Sequence, residues 1–229
     1  MHCLAGRRKR SILQLILIPH RPAMAGEIEK DLAPAIAILQ KAKGLKTMWR
    51  GKRFEDRYTQ VALLLWENLE SSHAFFTGPD YAELHEVIQP AMNGRSITWT
   101  AHAILDHSSL SDHAHLEAMV NSPAIEVALT KVVEGGVSRY YSRFNEVVTG
   151  ILNEEPGCDG YWISPLIEDP HDQLLLINWK SVHVSSMPAP SERERTRTPG
   201  AGQHAYSLIG PSRGVRKEAG LPRLYHRAA

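Results

Sequence analysis

His73 stands at the point where an apolar run ending in Trp66 gives way to a helical pattern. An imidazole there can take a phenolic or enolic proton near neutral pH, the first step of cofactor-free oxygenation or aldol-type cyclisation. The same ring could instead support the helix start by bonding backbone groups. Tyr58, ahead of the run, is a candidate proton donor; its counterpart later in the chain is His171. His102 lies in Ser96-Ile-Thr-Trp-Thr-Ala-His-Ala-Ile-Leu105. Alternation puts Thr98, Thr100, His102 and Ile104 on one strand face, and Ile97, Trp99, Ala101 and Ala103 on the other. Hydroxyls and an imidazole on a face turned toward helices suit a pocket that orients an oxygenated ligand. Solvent exposure or packing would account for them equally well. Trp49 and Trp66 could stack on an aromatic substrate, although their repetition elsewhere in the chain favours structural packing.

Other groupings carry less chemistry. His107, His113 and His115 cluster with Asp106 and Asp112, a density of ligands that would suit a divalent metal. Their segment has loop-like composition and reads as a solvated linker, so no metal site is assigned. The chain has no Gly-rich phosphate loop and no nucleophile elbow.

The elements that must position these groups come from a duplication. Gly44-Leu-Lys-Thr-Met-Trp49 runs on to Glu55-Asp56, Gln60, a Leu-rich run and Trp66; Gly157-Cys-Asp-Gly-Tyr-Trp162 runs on to Glu168-Asp169, Gln173, a Leu-rich run and Trp179. Both pairs of tryptophans are 17 residues apart, and the copies are offset by 113. Two copies of one fold in a single chain are implied. In the first, residues 12–19, 45–52, 58–69 and 96–106 read as strands. Residues 25–43 and a broken stretch, 71–89, read as helices. Pro34 should kink the first or mark a late start, and Gly78-Pro79-Asp80 should restart the second. The order β-α-β-β-α-β is the ferredoxin-like unit. The second copy repeats it as strand 123–133, helix 136–153 and strands 158–166 and 171–181. The fold class expected is α+β: tandem ferredoxin-like repeats, the second truncated.

The boundaries that follow are a basic extension (1–10), repeat 1 (11–107), a linker (108–122), an incomplete repeat 2 (123–184) and a disordered basic tail (185–229). From about Val184 the composition suggests altered reading rather than the original terminus. An unfinished sheet edge in repeat 2 would invite self-association into a homo-oligomer.

At 229 residues and 43% apolar composition the chain can bury a substantial core. Its net charge of +1 is segregated: residues 1–10 carry four cations, residues 191–229 a net +5, and the body between a net −8. An acidic body repels phosphate backbones, so no nucleic-acid partner is expected. Two cysteines, Cys3 and Cys158, are too few for a disulfide framework, and a reducing cytoplasmic setting is the expectation. Arg7–Arg10 before an apolar run imitates a signal peptide, but Pro19 cuts the run short. No stretch approaches the roughly 20 apolar residues of a membrane span.

With Trp66-Glu-Asn-Leu-Glu-Ser-Ser-His73-Ala-Phe-Phe in view, the chain resembles the dimeric α/β-barrel superfamily. It is most similar to fungal proteins with tandem domains like antibiotic-biosynthesis monooxygenases. The likeness covers residues 11–183. It implies an intrachain dimeric α/β barrel, with each sheet curved around a pocket lined by its own helices and His73 at the pocket mouth. The implied activity is tailoring of a hydrophobic polyketide-like or aromatic small molecule by cofactor-independent oxygenation or proton-transfer-driven cyclisation. No metal or organic cofactor is implied. The alternative is a non-catalytic ligand-binding or stress-response member. On this reading His73, Tyr58 and His102 are the catalytic candidates, and Trp49, Trp66, Thr98 and Thr100 the substrate-binding ones.

Overall fold

The computed structural model of the chain describes residues 10–22, 27–54, 56, 58–92, 94–97, 99–105, 116, 118, 120–181 and 203–209. Periodicity and turn chemistry account for most of its elements. Strand β1 (Ser11–Pro19) is buried along its whole length, as its run of β-branched and leucine residues requires. Helix α1 (Ile28–Gln40) passes through Pro34 and buries Ile28, Leu32 and Ala35. Strands β2 (Leu45–Arg53) and β3 (Thr59–Trp66) form a hairpin. The broken stretch resolves into α2 (Leu69–Phe76) and α3 (Pro79–Met92), followed by β4 (Trp99–Leu105). Asn68 caps α2 by accepting the Ser71 N–H at 2.8 Å.

Later in the chain come β5 (Ala124–Lys131), α4 (Val137–Arg143), a π-helical turn (Phe144–Val148), α5 (Thr149–Glu154), β6 (Cys158–Pro165) and β7 (Asp172–Trp179). One further strand, β8 (Gln203–Ile209), corrects the sequence reading. That reading left repeat 2 without its fourth strand and placed residues 203–209 in a disordered tail. Instead β8 pairs antiparallel with β5, from Ala124 opposite Ile209 to Thr130 opposite Gln203. Part of the segment attributed to altered reading thus packs on the sheet. The β5 edge expected to lie open is covered, which removes the edge argument for self-association.

All eight strands lie in one sheet of order β4-β1-β3-β2-β8-β5-β7-β6. The first four and the last four share the same internal order. Their ends also meet: Ala103 bridges Leu166 antiparallel, and the Ile167 N–H donates to the His102 carbonyl at 2.8 Å.

The two halves match in detail. Leu45 pairs with Trp66 and Cys158 with Trp179, and each pairing is followed by a register shift, before Thr47 and before Gly160. Trp49 faces Leu63 as Trp162 faces Leu176. The Glu67 N–H reaches the Gly44 carbonyl at 2.7 Å, and the Lys180 N–H reaches that of Gly157 at 2.8 Å. Gly44 and Gly157 both hold a left-handed φ, +87° and +100°, which glycine adopts without steric cost. One offset differs. Ile12 opposes Trp66, whereas Ala124 opposes Trp179, so β5 trails β1 by 112 residues rather than 113.

The sheet separates two cores. Leu13, Leu15, Leu17, Trp49, Leu63, Ala101 and Ala103 join Ile125, Val127, Leu174 and Leu176 in a cluster drawn from both halves. Leu116 and Val120, from the segment read as a linker, are fully buried in it. On the opposite face of the first four strands, Ile12, Ile16, Ala62, Leu64 and Trp66 pack against α1, α2 and α3. Among the described residues no helix is long and apolar enough to cross a membrane.

Candidate active site

The floor of the site is the helix-facing side of the first four strands, whose register orders it in rows. Arg50, Ala62, Ile16 and Thr100 stand side by side across β2, β3, β1 and β4; Met48, Leu64, Gln14 and His102 form the next row. Three strand spacings, about 14 Å, separate the β2 end of a row from its β4 end. Helices α1 and α3 cover the β2 side. Between them and the floor lies an apolar cleft lined by Ile16, Leu32, Met48, Leu64, Phe76 and Ile88, with Arg50 the one charged residue among the described ones that line it. The cavity inside it is small, about 30 Å³, and opens to solvent at its mouth.

Beside the cleft, at the β4 end, a polar chain runs through the protein. The Trp66 indole N–H donates to Gln14 Oε1 at 2.7 Å, and the Ser72 hydroxyl donates to the same oxygen at 3.2 Å. Gln14 Nε2 donates to Thr100 Oγ1 at 3.1 Å. Gln14, Trp66 and Ser72 are each at most 1% exposed, so this exchange replaces water that the groups have lost. Ser72 Oγ lies 3.5 Å from His102 Nε2. On its other side, His102 Nδ1 meets Glu168 Oε1, and the His102 backbone N–H donates to Glu168 Oε2 at 3.1 Å. Glu168 belongs to the β6–β7 turn, so the second half of the molecule orients a histidine of the first.

Burial pushes the Glu168 carboxyl up, but the His102 ring, its backbone N–H, the backbone of Glu168 itself and the charge of His102 outweigh it and hold the group below its ordinary value. A carboxylate fixed on Nδ1 sets the ring's orientation and leaves Nε2 for proton exchange. On that side the Ser72 hydroxyl is the nearest polar group, able to accept from a protonated Nε2.

The expected site residues are distributed unevenly over this geometry. Trp66 and Thr100 bond to Gln14, and His102 reaches the same chain through Ser72. His73 is exposed on α2, and its imidazole makes no hydrogen bond among the described residues. Tyr58 sits in the turn before β3, its ring 6.0 Å edge-on to His20. Trp49 is buried in the core shared by the two halves. Thr98 lies outside the described residues, as do His107, His113 and His115. None of the described candidates lines the apolar cleft.

Gln14, Ser72, Glu168 and Arg50 were missed. Glu168-Asp169 does recur as Glu55-Asp56, and hairpin geometry explains half of it: Asp169 accepts the His171 N–H at 2.9 Å as Asp56 accepts that of Tyr58 at 3.0 Å. Glu168 does something different, which only the long-range bridge to β4 reveals. The second half keeps one trace of the polar chain, for the Trp179 indole N–H donates to Glu126 Oε2 at 3.1 Å.

No protein-family profile and no curated protein matches the sequence. Solved structures do match the fold. An anthrone oxidase-like protein aligns over 94% of this chain and 98% of its own, at 11% identity and a TM-score of 0.58. A candidate monooxygenase of Fusobacterium nucleatum covers 87% of this chain and 92% of its own, at 10% identity and a TM-score of 0.56. One from Lactobacillus acidophilus covers 87% and 93%, at 8% identity and a TM-score of 0.50. At such identities the likeness shows the fold alone: an α+β architecture of antiparallel sheet and helices like that of its ferredoxin-like neighbours.

Proposed function

We propose that the chain is a single-chain dimeric α/β barrel of the antibiotic-biosynthesis-monooxygenase type. It would act on a hydrophobic polyketide-like or aromatic small molecule, as a tailoring enzyme of fungal secondary metabolism. Closure of the strand order through Ala103 and Leu166 supports the barrel. The observation that carries the activity is the His102–Glu168 pair abutting a buried polar chain beside an apolar cleft. In this reading His102 takes a proton from an activated carbon acid and holds it as the imidazolium, with Glu168 holding the ring and balancing its charge. Dioxygen then enters: an anthrone-like CH2 becomes C=O with one oxygen atom, and the other leaves as water with the two hydrogens. Ring closure within the substrate would use the same proton transfer without consuming oxygen. The apolar cleft contributes desolvation and orientation.

The test is oxygen uptake and product formation from anthrone. His102→Ala should lower turnover at least tenfold, in line with loss of a general base. His73→Ala should leave it within a factor of two. The reverse pattern would return the catalytic role to His73. Binding of anthrone without turnover by the wild-type protein would instead establish the non-catalytic, ligand-binding alternative.

A further inference from the structure

Arg50 is an unusual wall for an apolar cleft. It projects from β2 into the layer beneath α1, and its side chain is 12% exposed. Nη2 donates to Glu29 Oε2 at 2.9 Å. Nε and Nη1 are buried and have no hydrogen-bond partner among the described residues. The other described residues that line the cleft are all apolar. A guanidinium cannot shed its proton to escape this, and a buried N–H without a partner keeps its full desolvation penalty. Such an arrangement persists where something else completes it.

We infer that Arg50 is the recognition residue for an oxygen of the ligand, and that the ligand is an apolar aromatic body carrying an acidic oxygen, a carboxylate or an ionised phenol or enol. The inference rests on the apolar cleft being the ligand site, as in the function proposed above, and adds the ligand's charge and orientation. Arg50 closes one end of a floor row whose other end is Thr100, one residue pair from His102. A ligand with its oxygen at Arg50 lies across β3 and β1 with its far side toward the polar chain. Glu29 takes up Nη2 and leaves Nε and Nη1 at the cleft wall without a partner, so a side-chain shift that turns them to a ligand oxygen would reward an anionic acceptor without demanding it. Charge-assisted bonds of this kind are roughly twice as strong as neutral ones.

Two probes of matched size separate the possibilities: 2-naphthoate and 2-methylnaphthalene, titrated by calorimetry into the full chain at neutral pH. The wild-type protein should bind 2-naphthoate at least tenfold more tightly. Arg50→Met should abolish that preference and leave 2-methylnaphthalene affinity within twofold. Arg50→Lys, which keeps the charge but loses Nε and Nη1, should retain only part of the preference, and it substitutes for Arg50→Met should that variant fail to fold. Equal binding of both probes by wild type, or an unchanged preference in the Arg50 variants, overturns the inference while leaving the hydrophobic site intact. No binding of either probe overturns the ligand site itself, and the inference with it.

Discussion

Removing the charge of Glu168 while keeping its shape isolates what that carboxylate does for His102. Glu168→Gln can still accept the backbone N–H of His102 but no longer stabilises a charged ring. Turnover should fall at least tenfold. The stability effect has a defined sign. Because the folded carboxyl sits below its ordinary value of 4.5, its contribution is complete above that pH and is lost as pH falls through the lower folded value. The stability difference between wild type and Glu168→Gln should therefore shrink on acidification, as read by urea melts from pH 7 to pH 3. A difference that grows on acidification would mean that the pair does not hold the carboxylate charged. Trp66→Phe probes the same chain from its inner end. Gln14 Oε1 keeps Ser72 when the indole N–H is lost, so the cost of the missing bond should be about 1 kcal/mol. Residue types marked His102, Thr100 and Trp66 in the sequence because imidazole, hydroxyl and indole announce their chemistry. Gln14 and Ser72 look ordinary there, and their roles exist only once β1, α2 and β4 are side by side.

At the scale of elements, strands and helices were legible wherever a segment carries its own periodicity. The Leu-rich run of β3 and the Gly78-Pro79 break between α2 and α3 are local signals, and they fall where the chain places them. Register was harder to read. A slip of one residue between β1 and β5 is invisible in the tryptophan spacing, yet it exchanges the faces of the strand and makes Glu126, not Val127, the counterpart of Gln14. The turns that set these registers differ in how tightly they are built. A Cβ at Gly44 would meet Ser71 Cβ and Oγ at 2.5 Å, whereas at Gly135, with φ of +73°, nothing lies within 4 Å. Gly135→Ala should cost about 1–2 kcal/mol, the left-handed penalty alone. Gly44→Ala should cost clearly more in the same denaturant titration, because backbone strain and collision add. Equal losses would mean that Ser71 moves aside freely. The β6–β7 turn is held differently: the backbone N–H of His171, then Lys131 and the His171 ring, draw the Asp169 carboxyl down to about 2.

For the whole molecule, the decisive element is β8, the one strand that the sequence reading omitted. Its residues, Gln-His-Ala-Tyr-Ser-Leu-Ile, sit among Gly, Pro and Arg and carry too little hydrophobicity to announce a strand. What makes them one is their position between β5 and β2, since strand preference follows the pleated neighbours more than the side chains themselves. Six residue pairs tie β8 to β5, and two, Lys52 with Ile209 and Arg53 with Leu208, tie it to β2. Among the described residues it is therefore the only link in the strand order between the two halves on that side, while the bridge of Ala103 to Leu166 joins them on the other. Prolines at both Ala205 and Tyr206 would remove one ladder N–H whichever way the strand faces, and a central strand tolerates neither. Losing β8 would bare the β5 and β2 edges together, and bare edges recruit other chains. The double variant should melt lower than wild type, gain deuterium faster along β5 and sediment partly as dimers or larger species. A variant that stays wild-type in all three measurements would show that β5 and β2 need no cover, and that the halves are joined by the His102–Glu168 side alone.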